Sequence, residues 1–275
     1  MKSESKLLSA PYTVWMTVFI VLPMLLVGYF AFTDKSGSFT LENILNVGQY
    51  SNVFLRSIWL GAVATVVSLG LGYPLAYIIA KMNARRQNVM VMLVMLPMWM
   101  NFLLRTYAWM TLLEDNGLIN SALAALGLPR IHMINTAGAV VLGMVYNYIP
   151  YMILPLYSVL TKIDKSVIEA AQDLGANDRE VFLKVIMPLS MPGIISGVTM
   201  VFVPAVSTFI ISKMLGGGGN LLIGDLIDMQ FLGSAYNPNL GSAVSLVLMV
   251  IILICMGIMN QFDDGEAAEG GGMLI

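Results

Sequence analysis

The sequence predicts an all-α integral membrane protein with six transmembrane helices. Three observations carry that prediction. The 275 residues are 58% hydrophobic and only 11% charged, with a mean hydropathy of +0.81; soluble domains carry about 25% charged residues, and a soluble fold could not cover this much apolar surface. Six apolar runs, each close to the length that crosses a bilayer, recur along the chain. The intervals between them are polar and marked by Gly and Pro, the residues that end regular elements.

The first run covers residues 12–32, after Lys2 and Lys6. No small-x-small cleavage site follows it, so it reads as a retained span and not a signal peptide. Residues 33–56 form a polar connection with Asp34, Lys35 and Glu42. The second run, 58–80, carries Gly61, Ala62, Thr65, Ser68, Gly70 and Gly72, small residues that let helix backbones approach closely in lipid. A short basic loop, 81–86, follows. The third run, 89–113, contains Pro97, and the polar connection 114–135 contains Gly117, Gly127 and Pro129. The fourth run, 136–160, is expected to bend at Pro150 and Pro155. The fifth, 194–211, contains Pro204; the Gly-rich connection 213–239 holds a predicted short helix over 222–230. The sixth run is 240–259, and the acidic, Gly-rich residues beyond it are expected to be disordered. The chain thus divides into residues 1–56, a first span with its connection, a core over 57–260, and a tail over 261–275.

Six spans put both termini on one side, and the distribution of Lys and Arg selects the side. With cytosolic termini, Lys2, Lys6, Lys81, Arg85, Arg86, Lys162, Lys165, Arg179 and Lys184 lie inside, nine cations against five (Lys35, Arg56, Arg105, Arg130 and Lys213).

Residues 161–193 are the one long polar interval in the second half and read as two short helices joined by a tight turn. Ser166 is the expected N-cap, with Glu169 three residues later completing a capping box. Val167, Ala170, Ala171 and Leu174 fall on one face at helical spacing, and Gly175 stands where a left-handed residue would end the helix. Asn177 and Glu180 repeat the capping spacing. Val181, Phe182, Val185, Ile186 and Leu189 make a second stripe, which Pro188 and Pro192 stop or bend. This pattern alone fits two roles equally: a hard knob for a groove on a cytosolic partner, or a helix pair lying on the lipid head groups.

Other functions are excluded or left without support. A net charge of −2 argues against nucleic acid as a partner. One cysteine, Cys255, in an apolar run excludes an internal disulfide, and one histidine, His132, excludes a histidine-cluster metal site. Gly216 to Gly219 are not followed by Lys-Ser/Thr, so they are no phosphate loop. No catalytic constellation is evident and no enzyme activity is expected. The sharpest intramembrane charge is Arg105, which must snorkel, pair or face an aqueous path; it is either an anchor at the outer interface or a wall of a cavity. Trp99, Asn101, Tyr107, Tyr146 and Asn147 give the third and fourth runs polar and aromatic positions, explained by interfacial belts and packing or by a path for a cation that favours aromatic faces. Asp225 and Asp228, three apart on the predicted short helix, read as a solvated face or as a carboxylate station at the outer mouth.

The letters add a resemblance. Glu169-Ala170-Ala171, then Gly175, then the Val185 to Pro188 end resemble the EAA motif of ABC-importer permeases, which runs EAA, three residues, G, nine residues, I, one residue, LP. Val185 and Met187 replace the motif's Ile and Leu, both conservative apolar changes. The runs LGYPLAYIIAK, PMWMNFLLRTYAWMTLL, IPYMILPLYSVLTKIDKSVIEAAQDLGA, MPLSMPGIISG and GGGGNLLIGDLIDMQF are similar to those of the polyamine-type members. The resemblance implies a type I ABC importer permease fold, with residues 57–260 as its core and a cytosolic coupling helix in which Glu169, Ala170, Ala171, Leu174, Gly175 and Arg179 meet an ATPase. It implies a path lined by Trp99, Asn101, Arg105, Tyr107, Tyr146 and Asn147 for a small cationic substrate, and an outer mouth at Asn220, Asp225 and Asp228. It implies a bacterial inner membrane, a homologous second permease, an ABC ATPase dimer holding ATP and Mg, and an extracytoplasmic substrate-binding protein, with no cofactor on this chain. A permease for another small solute shares parts of these runs. A stand-alone secondary transporter would need internal repeats and embedded carboxylates, and the six runs contain no Asp or Glu.

Overall fold

The computed structural model describes residues 11–233 and 235–270, with backbone alone at 260 and 262–270. The described residues are helical apart from turns and one isolated antiparallel bridge, Thr33 to Phe39. Helix α1 spans Pro11–Ala31, α2 Glu42–Val47 and α3 Ser51–Ala80. Then come α4 (Ala84–Met95), α5 (Phe102–Leu113), α6 (Leu118–Ala125) and α7 (Ala137–Leu160). The second half contains α8 (Lys165–Asp173), α9 (Asp178–Leu189), α10 (Met191–Ser207), α11 (Ile210–Leu215), α12 (Ile223–Phe231) and α13 (Pro238–Gly270). Four helical stretches are long and apolar enough to cross a membrane, and six are if each of two bent pairs counts as one span.

One of the bent pairs revises an expected run. The third run is broken: the helix through Trp99 and the one starting at Phe102 meet at 88°. Pro97 lacks an N–H and closes the first piece as a 3₁₀ turn, and the Asn101 side-chain Oδ1 then accepts from the N–H groups of Leu103 and Leu104, starting a new helix. The 63° bend between α9 and α10 falls at Ser190, where Pro188 and Pro192 were expected to stop or bend the second short helix, ahead of the fifth run, which itself stops at Ser207, short of residue 211. By contrast, Pro150 and Pro155 lie within one continuous helix, α7. The connection 33–56 is helical from Glu42 and leads directly into α3. Helix α13 continues through Gly270; residues 271–275 lie outside the described residues, as do Lys2 and Lys6.

Helices α3, α7 and α10 pack on one another and form the centre, with α1 and α13 pairing at the side. Close approach is built from the small residues: a Cβ on Gly61 would sit 2.7 Å from Val206, and one on Gly197 2.7 Å from the Met152 sulfur. Buried side chains divide by depth. Tyr73, Met152, Leu156, Val181 and Ile186 tie α9 to one end of α3 and α7, while Phe54, Val206, Ile223 and Leu226 tie α12 to the other end. The basic loop 81–86 and α8 therefore share one end of the bundle, and Arg56, whose guanidinium donates to the Gly219 carbonyl at 2.8 Å, belongs to the opposite end. Helix α1 is exposed along nearly its whole length with Trp15, Phe19, Leu25 and Tyr29 outward, a surface suited to lipid.

Candidate functional site

At the first end, α8 and α9 form the expected pair, with a different start. Asp164, extended at φ −67° and ψ 133°, is the N-cap of α8, and its carboxylate accepts the Ser166 N–H at 3.0 Å. Ser166 is thus inside the helix and Glu169 lies beyond the first turn, so the capping box expected there does not form. The Asp164 carboxyl is held below its ordinary pKa by that Ser166 N–H. The end of α8 is as expected. Gly175 has φ +90°, its N–H donates to Gln172 O at 2.8 Å, and the Ala176 N–H reaches back to Ala171 O at 3.1 Å, the two bonds of a Schellman motif. Asn177 and Glu180 then form a reciprocal capping box at 3.0 and 3.2 Å.

These caps fix which apolar residues face outward. Ile168 and Ala171 pack inward against the core, while Val167 and Ala170 are exposed and Leu174 is 90% exposed. Glu169 and Arg179 are exposed on the same pair of helices. Among the described residues nothing buries the outward apolar stripe, and the Gly175 turn closes the helix that carries it. Its mechanical link to the bundle was not visible in the sequence. The Tyr73 hydroxyl of α3 and the Ser190 hydroxyl are 2.8 Å apart and buried, and Ser190 is the residue at the 63° bend between α9 and α10. Tyr73 and Tyr77 both set their ring edges on Phe182, within a π-helical segment, Phe182–Ile186. The only advance signal was a tyrosine and a serine within otherwise apolar runs.

The six expected path residues occupy different settings. Trp99 is 79% exposed and lines a shallow cavity with Met92, Met95 and Tyr157. Asn101 caps α5, and Tyr107 is exposed one turn further on. Tyr146 meets Trp109 edge to face at 5.3 Å. Asn147 is buried, donating to Gly143 O at 2.8 Å with its own carbonyl unpartnered. Arg105 is 7% exposed with Nε and Nη1 buried and unpartnered, 5.9 Å from the Phe102 ring. Most of the guanidinium is therefore enclosed by the protein instead of spread over its surface.

At the opposite end, α12 forms as expected, but Asp225 is not on a solvated face. It is 8% exposed. Its Oδ2 accepts the Leu222 N–H at 2.9 Å, while Oδ1 is buried without a partner; the Ser212 hydroxyl, which donates to Phe209 O, is the neighbour able to turn towards it. The next N–H, of Ile223, donates to Ser57 Oγ at 2.8 Å, so α12 is pinned to α3. Asp228 pairs with Lys213 at 3.1 Å, and Asn220 donates to Asn135 O and Gly216 O.

Burial pushes the Asp225 carboxyl above its ordinary pKa. A raised folded value means that its contribution to stability is complete below the ordinary carboxylate pKa and is lost as pH rises through the folded one. Hydrogen exchange at α12 is therefore expected to quicken with pH across the carboxylate range, beyond the intrinsic base-catalysed rise, and Asp225→Asn, which keeps the acceptor for Leu222, is expected to remove that excess.

A bundle with several helices long and apolar enough to cross a membrane, an exposed helix pair at one end and a pinned helix at the other has the architecture of a multi-pass membrane protein. The sequence comparison makes the class specific: the chain belongs to the binding-protein-dependent transport system inner membrane component family, whose model matches residues 72–265. It is 39% identical over 250 residues to the spermidine/putrescine transport system permease protein PotB of Haemophilus influenzae, covering 87% of each chain. It is 37% identical over 255 residues to the protein of that name in Escherichia coli (strain K12), covering 89% of this chain and 91% of that one. Among solved structures, a bacterial ABC transporter involved in the import of the acidic polysaccharide alginate superposes with a TM-score of 0.76 at 18% identity, covering 94% of this chain and 93% of that chain. The fold is that of type I ABC importer permeases.

Proposed function

We propose that this chain is one of two homologous permease subunits of a bacterial ATP-driven importer for polyamines of the spermidine and putrescine class. The observation that carries the coupling role is the outward stripe Val167, Ala170 and Leu174, stabilised by the Gly175 turn and left exposed by the described residues. The relatives' names support the substrate class. In this reading α8 lies in the cytosol, both termini are cytosolic, and Glu169 to Arg179 fit a cleft on an ABC ATPase that holds ATP and Mg. The chain itself performs no chemistry. A binding protein delivers the amine at the end carrying Asn220, Asp225 and Asp228, where Asp228 is neutralised by Lys213. When the ATPase dimer closes, the knobs of the two permeases are drawn together, and the Tyr73–Ser190 contact passes that displacement to α3 and α10. Rigid-body tilting then opens the path outward. The ATPase can drive this only if its two states hold the knob differently.

The test is reconstitution with the sister permease, ATPase and binding protein. Labelled spermidine is expected to accumulate in an ATP-dependent way, and Leu174→Glu, a change at an exposed site, is expected to release the ATPase on size exclusion while leaving the permease pair intact. ATP-independent uptake would reject the reading, and so would an ATPase retained at full stoichiometry by that variant.

A further inference from the structure

We propose that the cavity between the end of α3, the start of α4 and α8 binds the phosphate of an anionic phospholipid. The cavity has a volume of about 470 Å³ and is lined by Lys81, Gln87 and Lys165, with Tyr77, Leu160 and Ile168 among its walls. Its depth is set by the chain: Ala80 and Leu160 end two spans and both line it. It therefore opens where the helices leave the hydrocarbon, at the level of the head groups.

Its charge is one-signed. No carboxylate lines it, and neither Lys81 nor Lys165 has an ion-pair partner among the described residues. The Lys81 ammonium instead rests 4.3 Å over the Tyr77 ring, while the Gln87 amide is used up on Ala80 O and Met82 O. A smaller cavity that shares Tyr77 and Lys81 adds Arg179 and Asp178; the Asp178 carboxylate accepts from Gln172 at 3.4 Å. Two ammonium groups without an ion-pair partner among the described residues, in a cavity that Leu160 and Ile168 also line, match a molecule with a phosphate and an acyl chain. A soluble phosphate would use the first feature and leave the second in water. Because Lys165 opens α8, a bound lipid would join the first turn of the coupling helix to the end of α3.

The experiment uses the assembled transporter in nanodiscs of phosphatidylcholine and phosphatidylglycerol in equal parts, with retained lipid read by native mass spectrometry. Selective retention of phosphatidylglycerol is expected. Polybasic contacts are worth about 1 kcal/mol per lysine, so the Lys81→Ala/Lys165→Ala pair is expected to bind about thirtyfold more weakly, and Lys81→Arg/Lys165→Arg to bind as the unaltered protein does. Equal retention of the two lipids overturns the proposal, as does undiminished phosphatidylglycerol binding by a folded alanine variant. Inorganic phosphate provides a test that needs no variant: full displacement of the lipid by it, or equal thermal protection by it in phosphatidylcholine alone, would mark a soluble-phosphate site and reject the lipid. Failure to displace supports it.

Discussion

Replacing Gly175 with valine is expected to abolish uptake while the protein still enters the membrane and pairs with its sister subunit. Gly175 sits at φ +90°, and a Cβ there would meet nothing within 4 Å. The penalty is therefore one of backbone conformation alone, on the order of 1–2 kcal/mol for an ordinary L residue in the left-handed region and greater for a β-branched one. Helix α8 is nine residues long, and too little holds it to absorb that cost in place. The turn would instead relax to negative φ, losing the Gly175 and Ala176 hydrogen bonds and turning Leu174 away from the proposed ATPase cleft. ATP hydrolysis should continue without stimulation by the substrate-loaded binding protein. Asparagine tolerates the left-handed region far better, so Gly175→Asn is expected to keep most of the uptake. Parallel measurement of labelled spermidine uptake and ATPase rate in proteoliposomes decides the matter: valine and asparagine variants that transport equally would refute a role for this turn in coupling.

The number and order of the apolar runs were legible because hydropathy over twenty residues is a local property, and so was the Gly175 turn, where one residue type satisfies one backbone requirement. Competition between neighbouring polar residues was harder to read. Asp164 and Ser166 both suit an N-cap, and the extended backbone at Asp164 decided it. Pro97, Pro150 and Pro155 look alike in sequence, yet the first sits at an 88° break and the others inside one helix; the difference is Asn101, which offers the chain a second start. Burial of polar residues was illegible. Asp225 and Asp228 have the same spacing signal, but only the packing of α12 against α3 and α13 makes one a buried cap and the other a surface ion pair. For Arg105 the sequence located a charge that needs an explanation, and only the packing shows that two of its guanidinium nitrogens are enclosed without a partner.

The second large effect is expected at the far end, from a single added methyl group. Gly224 lies in the first turn of α12, where a Cβ would stand 2.5 Å from Thr208 O and 2.6 Å from Ser207 O. These are backbone atoms at the C-terminal break of α10, so no rotamer change can clear them. Overpacking typically costs about 1–3 kcal/mol where side chains can yield, and Gly224→Ala should reach or exceed the top of that range because the backbone must move. Displacing α12 would break the Ile223 N–H to Ser57 bond and expose the Asp225 carboxylate, so α12 and its anchor on α3 fail together. Uptake is expected to be lost and the melting temperature of the purified complex lowered. Gly70→Ala is the matched control. It lies within α3 with nothing within 4 Å of its Cβ position, and should be neutral or stabilising by roughly 0.5–1 kcal/mol through helix propensity. A Gly224→Ala complex that melts and transports like the Gly70→Ala one would show that α12 does not depend on its close seat against α10.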